Sequence, residues 1–147
     1  MALRKRGKWW YSDSQTDIRA EIIRYSKMVG YLAEYFADAM CSCGGRVFGL
    51  LLDDTAGIAS RVCVACDAEA YPIGDSAEFM DGADEEECAC PCGKEAFEIT
   101  VGVSLYDHSE DVRWLYIGCR CPACGLTAVY GDWKNEFNGY RELLERV

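Results

Sequence analysis

Ten of the 147 residues are cysteine, and eight of them fall into four close pairs. Cys41 and Cys43 form a C-x-C, Cys63 and Cys66 a C-x-x-C, Cys90 and Cys92 a second C-x-C, and Cys121 and Cys124 a second C-x-x-C. Paired thiols hold a metal, exchange electrons with a disulfide, or cross-link the chain. A redox C-x-x-C stands at a helix N-terminus, whereas here each C-x-x-C has a C-x-C partner upstream; a thiol oxidoreductase is therefore the weakest reading. A disulfide framework needs an oxidising compartment. The stretch MALRKRGKWWYSDS has basic residues but no apolar run or small-residue cleavage site behind them, so it does not read as a secretory signal, and a cytoplasmic protein is expected. Zinc takes four thiolates in a tetrahedron, supplied as two tight pairs. The spacing predicts two zinc ions per chain, one held by Cys41, Cys43, Cys63 and Cys66, the other by Cys90, Cys92, Cys121 and Cys124.

The two sets belong to an internal repeat. CSCGGRVF from Cys41 matches CPCGKEAF from Cys90, with Phe48 and Phe97 each five residues after the second cysteine. Gly74-Asp75 follows Cys66 by eight residues, and Gly131-Asp132 follows Cys124 by seven. Gly44, Gly93 and Gly125 stand where the backbone must turn around sulfur. Nineteen residues separate Cys43 from Cys63 and twenty-eight separate Cys92 from Cys121, the extra length lengthening a hairpin. Its arms are Phe97, Ile99, Val101, Val103 and Leu105 against Val112, Trp114, Tyr116 and Gly118, with Tyr-Asp-His-Ser-Glu-Asp between them. Cys88 and Cys119 have no counterparts in the first unit, where Ala39 and Arg61 stand. Each precedes a metal-binding pair by two residues, so they are expected to be neighbours, packed as reduced small apolar side chains.

Cys121-Pro-Ala-Cys124-Gly and the shorter Cys90-Pro-Cys92-Gly resemble the knuckles of the zinc-ribbon group, over residues 41–75 and 90–132. That resemblance implies a structural zinc clamped at the end of a β-hairpin or small sheet, and leaves function open.

The elements that must position these cysteines are read from periodicity. Ile18, Ile22, Tyr25, Val29, Leu32, Phe36 and Met40 recur at spacings of three and four, which predicts a long helix over 14–40 behind Ser12, Asp13 and Ser14 as cap candidates. Gly30 weakens its middle. Tyr140, Leu143, Leu144 and Val147 predict a short closing helix. The expected fold is α+β: two pseudo-symmetric zinc ribbons between a long N-terminal and a short C-terminal helix. Its segments are 1–40 (basic arm and helix), 41–75 (first ribbon), 76–89 (acidic linker), 90–132 (second ribbon) and 133–147 (closing helix).

Charge is uneven. Residues 1–30 carry seven Lys or Arg against three Asp or Glu, residues 31–98 three against fifteen, and residues 99–147 five against seven; +4, −12 and −2 sum to −10. Each Zn(Cys)4 adds −2. Such a body repels a phosphate backbone and attracts basic proteins. The run Asp81, Asp84, Glu85, Glu86 and Glu87, with Asp67, Glu69, Asp75 and Glu78, is the candidate partner-binding surface. No phosphate-loop, dinucleotide or zinc-protease motif occurs, adjacent Asp107, His108 and Ser109 cannot converge as a triad, and four cysteines leave zinc no open position. A non-catalytic, zinc-stabilised module binding a basic protein is expected: an immunity-type inhibitor of a nucleic-acid-directed enzyme, or an adaptor. The rival is a nucleic-acid binder using Arg4, Lys5, Arg6 and Lys8 beside Trp9, Trp10 and Tyr11, residues that otherwise anchor the N-terminus.

Overall fold

The computed structural model describes residues 3–66 and 68–147; Asp67 lies outside them. Alternation of apolar and polar residues dominates the chain, and it folds mostly as strands. β1 (Arg4–Arg6) and β2 (Trp9–Tyr11) form a hairpin, followed by a 3-10 turn at Gln15–Asp17 and α1 (Ile18–Val29). Then come β3 (Tyr35–Asp38), β4 (Phe48–Asp53), β5 (Ile58–Cys63), β6 (Tyr71–Pro72) and β7 (Glu86–Glu87). β8 (Glu98–Leu105), β9 (Val112–Arg120), β10 (Leu126–Phe137) and the one-turn α2 (Tyr140–Leu144) close the chain. One antiparallel sheet has the order β1-β2-β10-β9-β8-β3, the other β6-β5-β4-β7.

This overturns the α+β expectation of two ribbons flanked by helices. The helix predicted over 14–40 stops at Gly30, whose φ of 102° is left-handed and whose N–H closes the last turn on the Ser26 carbonyl at 3.0 Å. Beyond it Leu32 and Met40 are 48% and 50% exposed, while Ala33 and Ala39 are buried and Phe36 lies in edge strand β3. The three-and-four spacing simply runs on past the stop. The segment 133–147 begins as the end of β10, with Trp133 and Phe137 in the strand, and becomes helical only at Tyr140. The two cysteine units also lie in different sheets, β4–β5 in the four-stranded one and β8–β9 in the six-stranded one.

Both faces of the large sheet are covered. Ile99, Val101, Val103, Leu115 and Ile117 pack with Phe48, Leu50, Ala59 and Ile73 of the small-sheet layer. On the opposite face Ile18 and Ile22 of α1 lie fully buried with Tyr116. The helix can sit that close because β8 and β9 carry glycine beneath it. A Cβ on Gly118 would lie 2.6 Å from an Ile18 methyl, and one on Gly102 would lie 2.9 Å from Ile22. The two layers meet at the repeat's phenylalanines, Phe48 and Phe97, which exchange both backbone hydrogen bonds at 2.8 Å.

Candidate metal centres

Each knuckle is a turn whose amides fold back on sulfur. Gly44 N–H donates to the Cys41 carbonyl and Gly93 N–H to that of Cys90, both at 2.8 Å, and Gly125 N–H to that of Cys121 at 2.7 Å. The φ angles of Gly44, Gly93 and Gly125 are 91°, 97° and 85°, which is why glycine follows each of these pairs. Gly45 N–H points at Cys43 Sγ and Ala65 N–H at Cys63 Sγ, both at 3.4 Å.

The fold brings the eight paired cysteines together as two groups: Cys41, Cys43, Cys63 and Cys66, and Cys90, Cys92, Cys121 and Cys124. Within each group the sulfurs all lie within 4.8 Å of one another. Cys41 and Cys66 approach to 3.7 Å, Cys43 and Cys63 to 3.7 Å, Cys90 and Cys124 to 3.6 Å, and Cys92 and Cys121 to 3.7 Å. A tetrahedron of sulfurs about 2.3 Å from zinc has edges of about 3.8 Å. The two groups fit two zinc sites per chain, each with a complete thiolate set.

Four thiols so close cannot all ionise without a cation. In the first group the Cys43 backbone amide draws Cys41 down to about 6. Cys66, although the Ala68 amide pulls against it, is pushed up to about 12 by the neighbouring thiols. In the second, the Lys94 amide draws Cys92 down to about 7, while burial and the adjoining sulfurs push Cys90 up to about 12. A dication removes that conflict and ties distant segments together, which is the chemistry zinc supplies here.

The unmatched pair lies apart from both groups. Cys119 is fully buried in the main core and Cys88 packs against it half-buried. Burial pushes Cys88 up to about 11 and Cys119 well above an ordinary thiol, and an ionised Cys88 beside it would raise Cys119 further. Both stay neutral at physiological pH.

Arg61 and Arg120, which stand two and one residues before a metal-binding pair, are both drawn into the structure. Arg61 is buried between the rings of Phe48 and Tyr71 and donates twice to the Val147 carbonyl, at 3.2 and 2.9 Å. Arg120 pairs with Glu98 at 2.8 Å and donates to the Ser12 carbonyl at 3.0 Å. It thereby fastens the N-terminal hairpin to the second knuckle. His108 lies in the β8–β9 turn at a φ of 57°.

Of the acidic candidates, Asp84, Glu86 and Glu87 meet Asp53 and Asp54 around a concavity of about 460 Å³ between the β4–β5 turn and edge strand β7. Asp81 and Glu85 stand outside its lining. Asp53 Oδ2 accepts the Asp84 amide at 2.9 Å, and Oδ1 accepts those of Thr55 and Ala56, both at 3.0 Å. These amides, Asp84 first, hold Asp53 below the usual carboxylate range. The β4–β5 turn at Asp53-Asp54 thus closes the acidic face, a closure set by β4–β7 pairing.

No family model matches the chain, and comparison with curated proteins and with solved structures returned no match. The metal centres and the surfaces beside them therefore carry the functional reading.

Proposed function

We propose that this chain is a non-catalytic, zinc-stabilised binding module that recognises a basic protein through the acidic concavity beside β7. The observation that carries it is the convergence of Asp53, Asp54, Asp84, Glu86 and Glu87 around one concave space. Five acidic residues around one volume steer a basic surface toward it and repel a phosphate backbone. Four thiolates complete each zinc shell and leave no position for a reactive water, so zinc serves as a cross-link. Reduced cysteines suit a cytoplasmic setting, and no helix among the described residues is long and apolar enough to cross a membrane. Carboxylates arrayed at a rigid edge imitate a phosphate row, which favours a partner that itself handles nucleic acid, bound by an inhibitor or by an adaptor.

The test is native capture from cell extract at about 150 mM salt, comparing the unaltered chain with D54N/E86Q/E87Q, which leaves the turn-forming Asp53 in place. The expected result is a basic protein retained by the first and lost by the second. Equal capture by both, or capture of no basic protein, overturns the proposal.

A further inference from the structure

The six-stranded sheet has two strands more than the four-stranded sheet packed on it, and β2 and β1 extend it past β10. Register puts Tyr11 opposite Leu126 and Ala128 opposite Cys119, so Leu126 and Ala128 lie on the core-facing side. Trp9 shares the face of Tyr11, and so do Arg4 and Arg6, their cross-strand partners in β1. Trp9, Leu126, Ala128 and Tyr130 line a groove of about 290 Å³ whose other wall is Ala89 and Pro91, on either side of Cys90. The floor is small and aliphatic, the walls carry two aromatic rings, and Trp9 is 38% exposed.

One rim is cationic. Lys8 Nζ stands 5.1 Å from the Trp9 ring centre, and the Arg6 guanidinium stands 4.2 Å over Tyr11. No ion pair among the described residues involves Arg6 or Lys8. Arg4 lies on the same face, paired with Asp13 at 3.0 Å. The opposite wall, Ala89 and Pro91, carries no charge, so the cations stand on one side of the groove alone.

We propose that this groove binds single-stranded nucleic acid, a base lying between Trp9 and Tyr130 and its phosphates running along Arg6 and Lys8. Stacking surface beside a row of cations is the combination that single strands use, since every base has a face to stack and every linkage a charge. Cations on one side alone keep the phosphates on the hairpin side, and a base seated between two rings must be unpaired, so duplex is excluded. An acidic peptide would satisfy the cations and leave the aromatic groove unused. The groove shares no lining residue with the acidic concavity and does not depend on the proposal made for it; a chain carrying both would hold a basic protein beside a nucleic acid.

Fluorescence anisotropy of a labelled oligothymidylate of about 12 nucleotides, read from about 50 to 200 mM salt, tests this on the full-length zinc-loaded chain. The expected result is saturable binding that Trp9→Ala weakens about tenfold or more, with Trp9→Phe largely restoring it. R6Q/K8Q should lower the salt slope by about 1.4, roughly 0.7 for each phosphate contact removed. The same duplex sequence and a poly-glutamate peptide should bind much more weakly. Failure to bind at low salt, equal affinity for duplex or poly-glutamate, or Trp9→Ala binding unchanged with zinc content intact would each overturn the proposal.

Discussion

Asp75 shows what a single side chain costs and contributes in this fold. It is buried, accepts a hydrogen bond from Asn135 Nδ2 at 2.9 Å, and is raised above the usual carboxylate range chiefly by burial. Asn135 Oδ1 is buried too and finds no donor among the described residues. Protonation of Asp75 lowers the desolvation cost and adds a donor beside that oxygen. Because its folded pKa is raised, its stabilising effect is full below the unfolded value near 4 and is lost as pH rises through the folded value. Asp75→Asn should therefore flatten that fall, and Tm relative to the unaltered chain should rise as pH increases above about 4. A constant difference across that window would show that Asp75 does not titrate there. The repeat marked Gly-Asp at both sites, and the acidic surface expected from sequence included Asp75; burial against Asn135 removes it from that surface. Its partner Asp132 accepts from Trp114 Nε1 at 2.9 Å and Tyr25 Oη at 3.0 Å, tying α1 to the large sheet. Sequence position identified both residues; only long-range packing supplied their partners.

At the scale of elements, glycine decides where the helix ends and how near the sheet it can lie. Gly118 should tolerate no side chain. Its added methyl would overlap Ile18 and Ile22, so Gly118→Ala should lower stability by about 1–3 kcal/mol, measured by denaturant titration. Gly49→Ala, whose nearest neighbour would be 3.9 Å away, should cost far less. If the two variants behaved alike, the close seat of α1 would not matter to stability. The predicted start of the helix and the β8–β9 hairpin were legible because capping chemistry and alternation are local signals. The strand identity of residues 35–38 and of 126–137 was not. Their apolar spacing fits helix and strand alike, and pairing with β8, β9 and β2 settles the choice.

For the whole molecule, zinc joins segments that burial alone holds less firmly: the first centre spans β5 and the loop before β4, the second spans β9 and the segment before β8. The purified chain should contain two zinc per molecule, and Cys92→Ser should reduce this to one. Chelation under reducing conditions should lower Tm by 10 °C or more, on the order of what losing a structural metal costs, and added zinc should restore it. A chain without zinc and with unchanged Tm would contradict the reading of both centres. The metal sites were readable in the sequence because their ligands come as local pairs, and a two- or three-residue spacing around glycine already fixes knuckle geometry. The neighbouring of Cys88 and Cys119 followed from the same symmetry of spacing. The two charged faces were not readable in that way. The turn at Asp53 meets the acidic run through β4–β7 pairing, and Trp9 lines one groove with Tyr130 only because β2 adds to β10. Local backbone chemistry is written in neighbouring residues, so sequence determined the zinc ligands; surfaces are made by strands distant in the chain, so tertiary structure alone decided which charges and rings face one another.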